Sequence, residues 1–431
     1  MSDRARRMGR RRFFRTAAAA AGAVIAAPTI VSAAALGKDG AVAASDRITL
    51  GAIGIGNRGS YDLGCILWEP DVQVVAVADV RGVNRTRAKG MVDGKYGNKD
   101  CKPYIDFREL LARGDIDAVL IATGPNWHAT ASITAARAGK DVYCEKPCTK
   151  NIVQSLELAA AFRRTGRIFQ GGMQRRNLPN FMFCVKLAQE GKLGKLRAVH
   201  AHPGGMGTHM SGWQPAQPEP PRDEVDWDMY LGPAAWRPFN KQMLNGFDFE
   251  KGGGMVGGGV LEWGSHCVDL CQWANSADNT DPVEYFPAEN GRTHALYANG
   301  VKLVMRGDGW LGGMGSCPVR FEGDTGWVET GDDAEIVASS PELLVGKGAA
   351  IRGYPANNHL RDFFNCVKTR GEPLANAEVA CHSHIACHAT NIALFLNRKL
   401  AYDPVKNVFI GDGAEQANRL RSEALRDPWH F

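Results

Sequence analysis

Three glycines, Gly54, Gly56 and Gly59, stand at GxGxxG spacing in GAIGIGNRGSYDLG (51–64), directly after a short apolar run. That spacing suits a chain that must press its backbone against a pyrophosphate. The first glycine allows the tight turn, the second the close approach, the third the packing of helix on strand. A helix opening here turns unpaired N–H groups and partial positive charge toward the phosphates. Asn57 and Arg58 lie inside the loop and count among its ligand contacts. Asp79 follows Gly59 by 20 residues, at the end of the apolar run VQVVAVADV. Its carboxylate is placed to accept hydrogen bonds from the adenosine ribose hydroxyls, which disfavours a 2′-phosphate. Arg81, two residues on, could offset that repulsion, so NAD is expected and NADP remains possible.

Such a loop works only between a strand and a helix, and the sequence supplies both. ITLGAIGI reads as a strand and SYDLGCILWE as a helix start. VQVVAVADV, IDAVLIAT, DVYCEKP and RIFQGGM read as further buried strands. Helical stretches separate them, among them HATASITAARAGK and NIVQSLELAAAFRRTG. Strands alternating with helices imply a doubly wound parallel sheet. Past about residue 175 the alternation weakens. A helix (NFMFCVKLAQEGKLG) and a strand (KLRAVHAH) lead into a proline-rich loop, a glycine cluster at 252–259 and a helix from Leu261 to Ala274. Residues 283–330 suit antiparallel strands, and helix returns from Asn357. The expected domains are a leader at 1–45, a dinucleotide-binding domain at 46–170 and a second α/β domain at 171–431. The terminal helices could pack back on the first domain.

The N-terminus pairs a basic head with an alanine-rich apolar run and small residues near Ala33–Ala35. That reads as a signal peptide, not a membrane span. Arg10-Arg11-Arg12-Phe13-Phe14-Arg15 fits the twin-arginine pattern, so export to the periplasm or beyond is expected. The first 33 residues hold seven arginines and one aspartate, a net +6; a chain of formal charge +5 therefore keeps a body of −1. A near-neutral body offers nucleic acid no electrostatic footprint. The eleven cysteines form no CxxC pair, which argues for buried free thiols rather than a disulfide framework or zinc knuckle.

GAIGIGNRG, VADV, CEKP, GGMQRRN, DWDMYLGPAAWRPFN, GGGVLEWGSHCVDLCQW, NHLRDFFNCVKTRGEPLANAEV and ATNIALFLNRKLAYDP occur in this order. Together they resemble the Gfo/Idh/MocA family of oxidoreductases, closest to its exported bacterial branch, over about residues 46–431. The resemblance implies a Rossmann domain followed by an α/β domain with a large, open, mostly antiparallel sheet, often an oligomer interface. A homo-oligomer, dimer or tetramer, is expected. The family's catalytic lysine falls on Lys146 of Glu145-Lys146-Pro147. That position ends a parallel strand, where ligands bind in open α/β sheets. Its ammonium can bind a substrate hydroxyl and stabilise a developing alkoxide. The family's D-x-G-x-H-x-x-D motif reads here Glu262-Trp263-Gly264-Ser265-His266-Cys267-Val268-Asp269, with Glu for the usual Asp. On a helix Glu262, His266 and Asp269 share a face. Pairing of Glu262 with His266 would fix the imidazole tautomer and raise its pKa, making His266 a general base. The longer Glu262 arm could instead lie nearest the substrate. Thr123, Asn126 and His128, in TGPNWHA, match a loop beside the nicotinamide, and Glu145 is counted with the cofactor contacts. Gln174, Arg175, Arg176 and Asp269 are the substrate-binding candidates, beside Lys146.

The expected ligand is a small sugar or polyol, with its CH–OH group oxidised. Trp213, Trp227, Trp236 and Trp310 are candidate sugar platforms, each more readily explained as a packing residue. His200 with His202, and His384 with His388 near Cys381 and Cys387, have metal-like spacing, but no metal site is expected. Outside the cytoplasm a reduced cofactor cannot readily exchange, so a tightly retained NAD reset in place is the leading expectation. A redox-assisted glycosidase of the same family is the alternative, and a sugar-binding protein with a vestigial site a further one.

Overall fold

The computed structural model describes residues 42–204, 214–244 and 259–430. The arginine-rich leader, Trp213 and most of the 252–259 glycine cluster lie outside the described residues. The chain divides into two compact units, Met1–Arg47 and Ile48–Phe431. Only a short 3-10 turn, Ala44–Asp46, is described within the first. The second unit carries two sheets.

Six parallel strands form the first sheet: β1 (Ile48–Ile53), β2 (Val72–Ala78), β3 (Lys102–Tyr104), β4 (Ala118–Ile121), β5 (Asp141–Cys144) and β6 (Phe169–Gly171). Their order is β3-β2-β1-β4-β5-β6. β4 and β5 are buried along their whole length, as strands covered on both faces must be. Helices α1 (Asn57–Ile66), α2 (Gly82–Tyr96), α3 (Phe107–Leu111), α4 (Pro125–Arg137) and α5 (Ile152–Thr165) make the crossovers. Strand order reverses between β1 and β4, the switch point where such sheets open a crevice. Register decides what meets there. Ile53 pairs with Ala78 and Ile121, and Ile121 with Cys144. Gly54, Asp79, Ala122 and Glu145, each one residue further on, therefore share one rim.

After a 3-10 turn at Gln174–Asn177 comes α6 (Pro179–Gln189). The second sheet has nine strands: β7 (Leu196–Ala201), β8 (Glu284–Tyr285), β9 (Arg292–Leu296), β10 (Lys302–Arg306), β11 (Val319–Gly323), β12 (Trp327–Thr330), β13 (Ile336–Ala338), β14 (Leu400–Asp403) and β15 (Val408–Ile410). Their order is β13-β12-β11-β7-β10-β9-β8-β14-β15. All pairs are antiparallel except β7 with β10. A short helix α7 (Trp227–Leu231) precedes α8 (Val260–Ala274), and α9 (Asn357–Thr369), α10 (Ala377–Leu396) and α11 (Ala414–Arg419) follow.

α8 buries Leu261, Val268 and Cys271 in one core with Val199, Leu303 and Phe321 of the sheet. α10 packs on both α8 and α5. A Cβ at Gly264 would sit 2.9 Å from the Cys387 sulfur, so glycine lets these helices approach. α9 returns to the first domain. Its Leu360, Phe363 and Phe364 are fully buried with Leu50, Val74 and Tyr143. Each such side chain stabilises the docking by about 1.5–3 kcal/mol. β14 and β15 interrupt the helical C-terminal stretch expected from sequence. All eleven cysteines are free, and ten are buried.

Candidate active site

A cavity of about 800 Å³ opens along the rim. Gly54, Gly56, Asn57, Arg58 and Asp79 line it, as do Arg81, Thr123, Asn126, Lys146 and Glu262. Gly54 has φ +77°, and a Cβ there would lie 2.6 Å from the Thr123 backbone. A Cβ at Gly59 would meet the Gly54 carbonyl oxygen at 2.5 Å. These two glycines hold the turn against its neighbours. Gly56 differs: nothing lies within 4 Å of its would-be Cβ, so its bare backbone faces open cavity. No side chain caps α1 or α4, whose first residues line the space. Their N-terminal N–H groups suit an anion.

The Asp79 carboxylate accepts hydrogen bonds from Ile55 N–H (2.7 Å), Arg81 N–H (2.8 Å) and Asn84 Nδ2 (3.2 Å). These donors fix its orientation, yet a carboxylate has lone pairs left for ribose hydroxyls. Burial holds its pKa above the ordinary carboxylate value. Asn126 Oδ1 and Arg81 Nε are buried without a hydrogen-bond partner among the described residues. An acceptor and a donor are thus free on the cavity wall. The open backbone at Gly56, the uncapped helix starts and these polar atoms fit a dinucleotide.

Lys146 Nζ reaches Glu262 Oε1 across the domain seam at 2.8 Å and the Glu262 carbonyl oxygen at 3.2 Å. Both side chains are part-exposed to the cavity. The Lys146–Pro147 peptide is cis. His128 and His384 brace this corner. His128 Nδ1 and Nε2 lie 2.7 Å and 3.0 Å from the carbonyl oxygens of Pro147 and Thr123. His384 Nε2 accepts the Cys148 N–H at 2.9 Å. Sequence reasoning passes over Trp263: its ring centroid lies 5.8 Å from Lys146 Nζ, 5.7 Å from the Arg175 guanidinium and 6.2 Å from the His266 ring. It stands inside the EWGSH motif, one residue from Glu262.

Several expected roles change. Helical spacing pairs His266 with Glu262 and predicts a gain in basicity. Instead Glu262 turns to Lys146, and His266 Nδ1 has no hydrogen-bond partner among the described residues. Burial, then the positive charges of Arg175, Lys146 and Arg58, push the imidazole well below its ordinary pKa. His266 is therefore neutral. His128 is buried in the corner behind the cavity rather than on its wall, so it braces the cofactor loop. Asp269 is buried and paired within the protein: Arg176 grips it through Nε (2.9 Å) and Nη2 (2.8 Å), and Ser383 donates to it. Arg176 also binds Asp278. Arg175 binds Asp332 at 2.6 Å, and the Gln174 amide donates to Glu145 (2.7 Å) and Tyr143 (3.1 Å). None of these residues lines the cavity. Buried charges need partners, and these found theirs within the protein.

Of the other candidates, Trp227 and Trp310 pack within the protein. Trp227 stacks on Tyr230, and Trp310 lies under the Arg306 guanidinium at 3.8 Å. Trp236 is exposed. His200 sits among Arg306, Arg320 and Arg292; burial and those charges push it down to about 4.

The segment around α7 is legible in sequence only as a motif. It straps the rim of the crevice from Val80 to Trp127. Asp226 N–H donates to Val80 O, and Gly82 N–H to Glu224 O. Arg85 donates to Asp223 O, Arg81 to Leu244 O, Asn126 Nδ2 to Leu231 O and Trp127 Nε1 to Met229 O, all within 2.7–2.8 Å. Arg426 holds α7 from behind through Gly232 O and Asp228. Met229, Tyr230 and Leu244 thereby become cavity walls.

A glycine turn at a switch point, backed by a cavity with a lysine at its far end, defines a dinucleotide-dependent oxidoreductase class. Residues 48–173 match the family model described as "Oxidoreductase family, NAD-binding Rossmann fold", and residues 186–431 that of its "C-terminal alpha/beta domain". The chain belongs to the Gfo/Idh/MocA oxidoreductase family, and its first domain is an NAD-binding Rossmann domain. Among curated relatives it is similar to a glycosyl hydrolase family 109 protein of Saccharopolyspora erythraea (35% identity over 130 residues, 29% of this chain and 28% of that one). It is also similar to a myo-inositol 2-dehydrogenase of Thermotoga maritima (30% over 146 residues, 34% and 42%). The matched stretches thus span less than half of either relative. In fold it resembles scyllo-inositol dehydrogenase from Lactobacillus casei, solved with NAD(H) and scyllo-inositol. That likeness has TM-score 0.56 at 16% identity, over 82% of this chain and 99% of that one. No helix among the described residues is long and apolar enough to cross a membrane.

Proposed function

We propose that this oxidoreductase is exported by the twin-arginine route and acts on a CH–OH group of a neutral sugar or polyol, with NAD retained between turnovers. The observation that carries the reading is the Lys146–Glu262 pair, 2.8 Å apart on the wall of the same cavity that Gly56 and Asp79 line. Bound NAD supplies the hydride acceptor. The chain's own residues do the rest. Gly54, Gly56, Asn57, Arg58, Asp79, Arg81, Thr123 and Asn126 hold the dinucleotide. Lys146 Nζ binds the reacting hydroxyl and stabilises negative charge on its oxygen. The Glu262 carboxylate, already at the ammonium, takes the hydroxyl proton. Neutral His266 lies behind them and carries no charge that would compete. The arginines described near the pair have carboxylates of their own: Arg175 has Asp332, and Arg58 has Glu145 and Asp62. That balance favours an uncharged substrate. The inositol dehydrogenases among the relatives support the polyol class.

Retention is supported by the strap, which is tied to the rim of the same cavity by its hydrogen bonds. The test is an absorbance spectrum of purified, dialysed protein titrated with sugars and polyols. Growth or bleaching of the reduced-nicotinamide band without added NAD is the expected result. Cofactor-free protein that needs fresh NAD for each turnover would count against retention. A reporter fused behind residues 1–45 should need paired arginines for export. The family 109 relative favours a second reading, oxidation-assisted glycoside cleavage. Release of an aglycone from an aryl glycoside with no net nicotinamide reduction would select it.

A further inference from the structure

Behind Lys146 lies a cluster of Arg58 with two buried carboxylates, Asp62 and Glu145, to which the proposed reaction gives no part. Arg58 Nη2 is 2.9 Å from Asp62 Oδ1 and 3.1 Å from Glu145 Oε1. Arg58 Nε donates to Asp62 Oδ2 at 3.2 Å. Glu145 Oε1 also accepts from Gln174 Nε2, while Glu145 Oε2 accepts the main-chain N–H of Lys146 at 3.2 Å. Room for this carboxylate comes from Gly172, where a Cβ would fall 2.7 Å from Glu145 Oε1. Asp62 and Glu145 are 0% and 4% exposed. Arg58 alone of the three reaches the cavity.

We propose that Arg58 is a positioning residue: through Glu145 it fixes the main chain at Lys146, and through its cavity edge it sets its charge beside the bound dinucleotide. One side chain thus joins the dinucleotide turn to the strand end that carries the working lysine. The geometry forces a choice of protons. Two buried, ionised carboxylates around one guanidinium would leave an uncompensated negative charge. Burial first, then the Glu145 charge, push Asp62 up to about 8. Asp62 therefore keeps its proton at neutral pH, and the Arg58 charge is committed to Glu145. Besides Lys146, the other ionisable groups facing the cluster are Tyr61 and Cys65 on α1, His128 on α4, Tyr143 on β5, Cys148, His266 on α8 and His359 on α9. Burial holds Tyr61, Cys65 and Tyr143 above their ordinary values, a hydrogen bond with Cys144 and then burial do the same for Cys148, and burial holds the three histidines below theirs, so these seven are neutral around neutral pH. Ionising Asp62 divides Arg58 between two acids and turns a net negative charge toward the dinucleotide phosphates.

The inference rests on Lys146 being the working lysine, yet its test needs no substrate, so its failure would leave the sugar reading standing. NAD is titrated calorimetrically into nucleotide-stripped wild type, Asp62→Asn and Arg58→Gln from about pH 6 to about pH 10, a range that brackets the Asp62 ionisation. Wild-type affinity should weaken at least about fivefold above pH 8, as one proton is lost. Asp62→Asn should hold the neutral-pH affinity throughout. Arg58→Gln should bind weakly at every pH. A second readout follows Lys146 itself, as an isotope-labelled dimethyl-lysine resonance assigned with Lys146→Arg. Arg58→Gln should move that resonance, Arg58→Lys should restore part of the shift, and Asp62→Asn should leave it in place at pH 7. A pH dependence shared by wild type and Asp62→Asn overturns the coupling. A Lys146 resonance indifferent to Arg58→Gln overturns the positioning role.

Discussion

Asp62→Asn should make the protein more stable, although it removes a charged partner of Arg58. An unfolded Asp62 titrates at its ordinary value of 3.8, whereas the folded one does so at about 8. Between those values the native state holds a proton that the unfolded chain has released. The unfolded state binds fewer protons, so stability falls as pH rises through the window. Below the window the residue costs nothing by this route; above it the cost is complete. At pH 7 the gap is about three pKa units, each about 1.4 kcal/mol, which sets a ceiling of about 4 kcal/mol. Asparagine has no proton to release and nearly the same shape. Its amide can still offer an oxygen to Arg58 and a donor to Glu145. Allowing for an imperfect match, the gain at pH 7 should be about 1–3 kcal/mol. Near pH 4 it should shrink toward zero. Urea unfolding of both proteins at a series of pH values measures this directly. An Asp62→Asn protein less stable at pH 7, or a difference that does not grow between about pH 4 and about pH 8, would refute the protonated-aspartate argument.

The glycines of the turn should separate binding from folding. Gly56→Ala adds a methyl to open cavity, so unfolding should be unchanged while NAD affinity drops, read by calorimetry. Gly54→Ala should lower stability by about 1 kcal/mol or more, since its positive φ and the Thr123 backbone both resist a side chain. Lys146→Met should leave NAD bound but cut single-turnover reduction about 10²–10⁴-fold. Arg426→Ala cuts the strap's rear anchor far from the chemistry, and the NAD dissociation rate, followed by nucleotide fluorescence, should rise without loss of the reduction step.

The first domain is legible because its signals are local. Gly54, Gly56, Gly59 and Asp79 lie within 26 residues, and their chemistry follows from backbone geometry and strand register. Alternation of buried strands with helices points to the sheet, and Leu360, Phe363, Phe364 and Val367 of α9 form an apolar stripe that must find a core. What escapes depends on tertiary partners. Gln174, Arg175, Arg176 and Asp269 carry groups that could bind a sugar. Whether they do depends on Tyr143, Glu145, Asp332, Asp278 and Ser383, from 29 to 157 residues away for Gln174 and Arg175 alone. Helical spacing puts Glu262 and His266 on one face but cannot show that Lys146, 116 residues earlier, claims the carboxylate.

That competition explains the substitution of glutamate for the usual aspartate better than a simple exchange of bases does. A carboxylate at the first position of the motif has two cationic options, a protonated imidazole one helical turn away or an ammonium on the opposite domain. The imidazole is buried among positive charges, so protonating it there is costly. The ammonium is part-exposed and already positive. The longer glutamate side chain reaches Lys146 at 2.8 Å from α8. Shortening it by Glu262→Asp should therefore break the seam-crossing pair rather than restore an aspartate–histidine dyad. The expected result is a fall in the reduction step with no rise in the His266 pKa, read by histidine NMR. A His266 that gains basicity in Glu262→Asp would instead make the imidazole the base.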